Sequence, residues 1–261
     1  MSVEPPASDS PERLVGADRV LAVLLELAEH PTAVSLDELA QRLASPKPTI
    51  HRALTALRRA GLADQSERGR YVLGDEFIRL ALRHHEARPD TVRIAPVLRA
   101  LTERFGETAH YAVLDGTDVV YRAKEDPDGG AVRLTSMVGG RNPAYRTAVG
   151  KLLLAQTVGS ESDLRRMLGA GPSTPLPART PQTITTVPAL WAELQKTRAR
   201  GFAVDDQENE PGVNCVAVPV HPAGESRVAG AVSVSALAFR LPLGELVERV
   251  PEIVEIVGAA R

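Results

Sequence analysis

SPKPTIHRALTALRRAGL, residues 45–62, is the stretch whose reading decides the N-terminal fold. Its apolar residues Ile50, Ala53, Leu54 and Leu57 fall at i, i+3, i+4 and i+7, the spacing that lines one face of an α-helix and demands that the face be buried. The other positions carry Lys47, Thr49, His51, Arg52, Thr55, Arg58 and Arg59, all hydrogen-bond donors, four of them with a fixed positive charge. That face suits an anionic partner. Just upstream, SLDELAQRLA repeats the apolar spacing with Leu36, Leu39, Ala40 and Leu43. Two short helices joined by a tight connection predict a helix-turn-helix, whose second helix enters the major groove of double-stranded DNA.

The flanking sequence supports this unit. Val20, Val23, Leu24, Leu27 and Ala28 predict a helix that starts after Gly16 and stops at His30 and Pro31. Ser35 and Glu38 form a capping-box pair for the second helix, and Pro48 lies in the first turn of the third, where its missing N–H costs nothing. After Gly61, LADQSERGRYVLG reads as strand, polar bend and strand, the hairpin of a winged domain. Arg68 and Arg70, at its tip and flank, are placed to meet a phosphate or the minor groove. The candidate DNA contacts are therefore Lys47, Pro48, Thr49, His51, Arg52, Arg58, Arg68 and Arg70. A helix that merely solvates its basic face is the competing reading.

At 261 residues, 43% hydrophobic and 25% charged, the chain has the length of two ordinary domains. Its net charge is −2; residues 45–70 carry +4, so the remainder carries −6. One basic patch on an acidic protein implies a confined nucleic-acid footprint and excludes indiscriminate coating. A single cysteine, Cys215, allows no intrachain disulfide, fits a reducing cytoplasm and leaves thiolate zinc sites without ligands. No apolar run is long enough to cross a membrane, so a cytoplasmic protein without membrane contact is expected.

Residues 1–15 are rich in Pro, Ser and acid and read as a disordered leader, followed by a winged helix-turn-helix domain at 16–74. A linker helix at 75–90 carries Phe77, Ile78, Leu80, Ala81 and Leu82, and a C-terminal domain occupies 91–261. In that domain a helix over 91–105 precedes strands at AHYAVLDG, TDVVYRAK and 132–137, a loop at GGRNPAY, and helices at GKLLLAQ and 163–168. A helix over 188–200, strands at 202–204, 215–221 and 228–236, and one helix over 243–257 complete the pattern. This is an α+β arrangement with a mainly antiparallel sheet.

PKPTIHRALTALRRAGL with GRYVLG, then NPAYRTAVGKLLLA, RTPQTIT and the segment from Gly201 to His221 resemble the IclR family of bacterial transcription regulators. In the last segment Gly201, Asp205, Glu208, Cys215, Val216, Ala217, Val220 and His221 match the family signature; Pro222 and Tyr145 depart from the usual residues. The resemblance implies a GAF-like C-terminal domain that binds a small organic effector and alters DNA binding. Independently, TAVGK sets the backbone N–H groups of Ala148 and Val149 near a helix start, where a carboxylate is favoured. Ser233 and Ser235, two apart, share one side of a strand. By resemblance these four, with Asp205 and Cys215, line the effector pocket, and Leu134, Met137 and Val213 form its apolar wall.

The expected function is a sequence-specific DNA-binding regulator, a homodimer or homotetramer on a two-fold operator, answering to a small organic or aromatic acid, with no cofactor, metal or catalytic residue. A small-molecule enzyme using Cys215 with His110 or His221, and an interaction module without DNA affinity, are the alternatives. The pair His84–His85 and the run Asp205, Asp206, Glu208, Glu210 read as a helix end and a solvated acidic loop, not as metal sites.

Overall fold

The computed structural model describes residues 16–67, 69–129, 134–171, 174–222 and 227–259, together with the backbone alone at Glu86 and Pro89. The expected leader and Arg68 lie outside the described residues. The chain divides into two compact units at Ala87/Arg88.

In the first unit, α1 (Ala17–Ala28), α2 (Leu36–Arg42) and α3 (Lys47–Arg59) pack around Val23, Leu27, Leu39, Ile50, Leu54 and Leu57, each no more than 3% exposed. The capping box forms as expected. Ser35 Oγ accepts from Glu38 N at 3.2 Å, and Ser35 N donates to Glu38 Oε2 at 2.8 Å. The α2–α3 turn holds Ala44 at φ 45°, a left-handed conformation that a side chain disfavours. Beyond α3, β2 (Ala63–Glu67) and β3 (Arg70–Leu73) make the wing. A two-residue strand, β1 (Val34–Ser35), pairs with β3 and was not anticipated; it is too short to carry a period. Helix α4 (Asp75–Glu86) buries none of its described residues within this unit.

The second unit is a six-stranded antiparallel sheet between two helical layers. Its strands are β4 (Thr108–Asp115), β5 (Asp118–Glu125), β6 (Arg141–Pro143), β7 (Ala203–Asp206), β8 (Val213–Val220) and β9 (Gly230–Leu237), in the order β6-β5-β4-β9-β8-β7. Alternation along β9 sends Val232, Val234 and Ala236 to α5 (Pro89–Phe105), α9 (Leu243–Glu248) and α10 (Val250–Gly258). Ala231 faces the opposite layer of α6 (Ala148–Thr157), α7 (Glu161–Met167) and α8 (Val187–Arg200), and the same alternation carries Ser233 and Ser235 to that side.

Four expectations are corrected. Of the third strand expected at 132–137, residues 132 and 133 lie outside the described residues and 134–137 run irregularly. The edge strand is β6, in the stretch expected as a loop, reached through a turn at Gly139 with φ 84°. Pro143 tolerates that position because an edge strand leaves its N side unpaired. The single terminal helix is two, α9 and α10, broken at Arg249. Pro251, in the first turn of α10, lacks the N–H and the clearance a continuous helix needs. Finally, Asp205 and Glu208 are buried, not solvated.

Candidate functional site

On α3 the apolar stripe is buried, while Lys47, Pro48, His51, Arg52, Arg58 and Arg59 are exposed and Thr49 is half-buried. The outward face therefore presents a cationic surface with hydroxyl and imidazole donors. Not all of it is free. Lys47 Nζ pairs with Asp37 Oδ1 at 2.8 Å, Thr55 Oγ1 donates to the His51 carbonyl at 2.8 Å, and the Arg70 guanidinium donates to the Ala33 carbonyl. Lys47 and Arg70 thus brace the domain as well as charge it, whereas Arg52, among the described residues, makes only a 3.3 Å bond to the Pro48 carbonyl of its own helix.

In the second unit a cavity of about 280 Å³ opens between the α6 side of the sheet and the 134–142 segment. Leu134, Met137, Ala148, Val149, Asp205, Val213, Cys215, Ser233 and Ser235 all line it. Thr147 caps α6, its Oγ1 accepting from Gly150 N at 3.0 Å. The Ala148 and Val149 N–H groups, at the first two helical positions, have no intrahelical acceptor. Gly150 is required there: a Cβ would stand 2.2 Å from the Ala144 carbonyl oxygen.

Several lining residues escaped sequence reasoning: Tyr121, Asn142, Arg179 and Asn209 among them. Tyr121 lies on the cavity side of β5 with Val119, and a β-bulge follows it. Ala112 pairs with Tyr121 and Tyr111 with Ala123, so Arg122 is the extra residue, and the facing of β5 reverses across it. The Tyr121 ring meets His110 with centroids 5.1 Å apart. Tyr145, which departs from the family pattern, is not in the lining itself; its hydroxyl donates to the Pro177 carbonyl and it adjoins Arg146, which is in the lining.

The polar wall is a relay. Cys215 Sγ donates to Ser235 Oγ at 3.1 Å, Ser235 Oγ lies 3.3 Å from His110 Nδ1, and His110 Nε2 lies 2.7 Å from Ser136 Oγ. Burial, helped by the nearby Lys124 charge, lowers the His110 pKa to about 3, so the imidazole is neutral. Burial first, and then the Asp205 charge, push the Cys215 thiol up. The thiol is protonated, with Ser235 between it and the imidazole; His221 is six residues along the same stretch, about 20 Å at strand rise. That geometry does not activate a nucleophile.

Behind the wall sits a buried charge cluster. Lys151 Nζ pairs with Glu208 Oε1, and Glu208 N donates to Asp205 Oδ1 at 2.7 Å. Burial raises the Asp205 pKa to about 7 against the opposing pull of Lys151, and raises that of Glu208 for the same reason. Among the described residues no group of three His, Cys, Asp or Glu is arranged to hold a metal, and no helix is long and apolar enough to cross a membrane.

The family model for the IclR helix-turn-helix domain matches residues 16–67, and that for the bacterial transcriptional regulator IclR C-terminal domain matches residues 90–260. The chain belongs to the IclR family of transcriptional regulators. Among relatives of this IclR-family chain, the HTH-type transcriptional regulator XynR of Escherichia coli (strain K12) is 35% identical over 234 residues, 88% of each chain. The Pca regulon regulatory protein of Pseudomonas putida is 30% identical over 92% of this chain and 80% of its own length. A crystal structure of an IclR homologue from Microbacterium hydrocarbonoxydans, complexed with 4-hydroxybenzoate, matches with a TM-score of 0.74 and 26% identity, covering 92% of this chain and 95% of that one.

Proposed function

We propose that this IclR-family regulator reads a roughly two-fold operator through α3 and the wing, and that a small organic acid in the α6 cavity sets its operator affinity. Residues 16–74 serve as the DNA-binding domain, 75–90 as linker and 91–261 as effector domain, in a cytoplasmic homodimer or homotetramer. The observation that carries the effector reading is the convergence of all nine expected residues on one cavity at the N-terminus of α6, whose first N–H groups have no intrahelical acceptor. The DNA reading rests on the buried stripe and open cationic face of α3. Exposed Leu21 and Leu25 on α1, with Ile78, Leu80 and Leu82 on α4, support a second copy of the chain as partner, as a two-fold operator requires. The neutral His110 and protonated Cys215 favour a binding pocket over an enzyme.

Fluorescence anisotropy with the gene's own upstream DNA tests the reading. Affinity should fall steeply as salt rises and shift when an effector, found by thermal-shift screening of organic acids, is added. A flat salt response refutes the regulator reading.

A further inference from the structure

The cations around the cavity differ in how they are balanced. Arg141 has Asp115 at 2.8 Å and Asp118 at 3.5 Å. The rim also carries Arg179 and Glu210, one charge of each sign. Arg146 is different. Its Nε donates to Asn209 Oδ1 at 2.9 Å and its Nη2 to Asn142 Oδ1 at 3.2 Å, and among the described residues no carboxylate lies within ion-pair distance. Asn142 is on β6 and Asn209 follows β7, the two edges of the strand order, so the guanidinium is fixed from both sides of the cavity.

Two neutral amides orient a guanidinium without neutralising it, and a half-buried unneutralised cation beside a cavity is a site for an anion. Just beyond it, Ala148 and Val149, whose N–H groups have no intrahelical acceptor, line the same cavity. Asp205 lines the same cavity, nearly fully buried, as an acceptor. We propose that Arg146 is the charge-recognising residue of this cavity, and that its ligand is a small acid with a carboxylate on Arg146 and the α6 N–H groups and a hydroxyl or amino donor on Asp205. This rests on the cavity being the effector site proposed above.

The test measures the affinity of the intact protein for 4-hydroxybenzoate and 4-hydroxybutyrate, each against its parent acid without the hydroxyl, by titration calorimetry. At least one hydroxy acid should bind, tighter than its parent by on the order of tenfold, and Asp205→Asn should shrink that preference. Arg146→Gln should weaken binding of hydroxy and parent acids alike by tenfold or more, with Arg146→Lys intermediate and all melting temperatures near wild type. No saturable binding of any acid up to about 10 mM, or Arg146→Gln binding as wild type does, overturns the proposal. Operator anisotropy separates the two claims. A ligand that needs Arg146 but leaves operator affinity unchanged refutes the effector role and not the ligand class; a ligand that shifts operator affinity while ignoring Arg146→Gln does the reverse.

Discussion

Replacing Asp205 by Asn and, separately, His110 by Asn should give this protein two opposite pH responses. Asp205 has a folded pKa of about 7 against 3.8 for the free group. Between those values the native state holds a proton that the unfolded chain has released. The stability this provides is fully present below 3.8 and is lost as pH rises through 7. His110 runs the other way, from 6.5 unfolded to about 3 folded. Its contribution is present above 6.5 and is lost as pH falls towards 3.

At 1.36 kcal/mol per pH unit, each group changes stability by about 3 kcal/mol between pH 4 and 6.5, with opposite sign, so in the wild type the two largely cancel. Asp205→Asn leaves His110 alone and should lose about 3 kcal/mol on acidification across that window, whereas His110→Asn leaves Asp205 alone and should gain about as much. All other titrating groups are common to the two variants, so their divergence isolates the pair. The single tryptophan, Trp191 on α8, reports this unit in urea unfolding followed by fluorescence. Parallel pH profiles for the two variants would refute the reasoning.

Three further outcomes are expected. Lys151→Met strands Glu208, whose Oε2 already has no partner among the described residues, and should cost about 3–5 kcal/mol in the same assay; adding Glu208→Gln should restore most of it. Ala44→Gly relieves the left-handed φ of the exposed α2–α3 turn and should stabilise the first unit by roughly 0.5–1 kcal/mol, read from far-UV circular dichroism melts. Arg52→Ala should weaken operator binding by about 1–3 kcal/mol and narrow the margin over random DNA, while Arg58→Ala should weaken both alike and flatten the salt slope, as competition anisotropy will show.

How much of this was legible in the sequence depends on the range of the interaction involved. The α3 stripe, the Ser35–Glu38 capping box and the facing of Ser233 with Ser235 are local, set by periods of 3.6 and 2 that any reader of the chain can count. The residues missed are those placed by events with no period. Arg122 is an ordinary strand residue until the β4–β5 register reveals it as the bulge after which Ala123 changes faces, while Tyr121 stays beside His110. Asp205 and Glu208 look like a solvated acidic run because their counter-charge, Lys151, is 57 positions from Glu208 in the chain. Arg146 looks like a helix-flanking cation until Asn209, 63 positions on, fixes its guanidinium over the cavity. In each case the sequence shows the chemistry of the side chain, and the sheet decides what it meets. A recognition helix can therefore be read from one short stretch, because DNA meets it from outside. A cavity is assembled from distant strands, and pairings such as Arg146 with two amides in place of a carboxylate are brought about only by the fold.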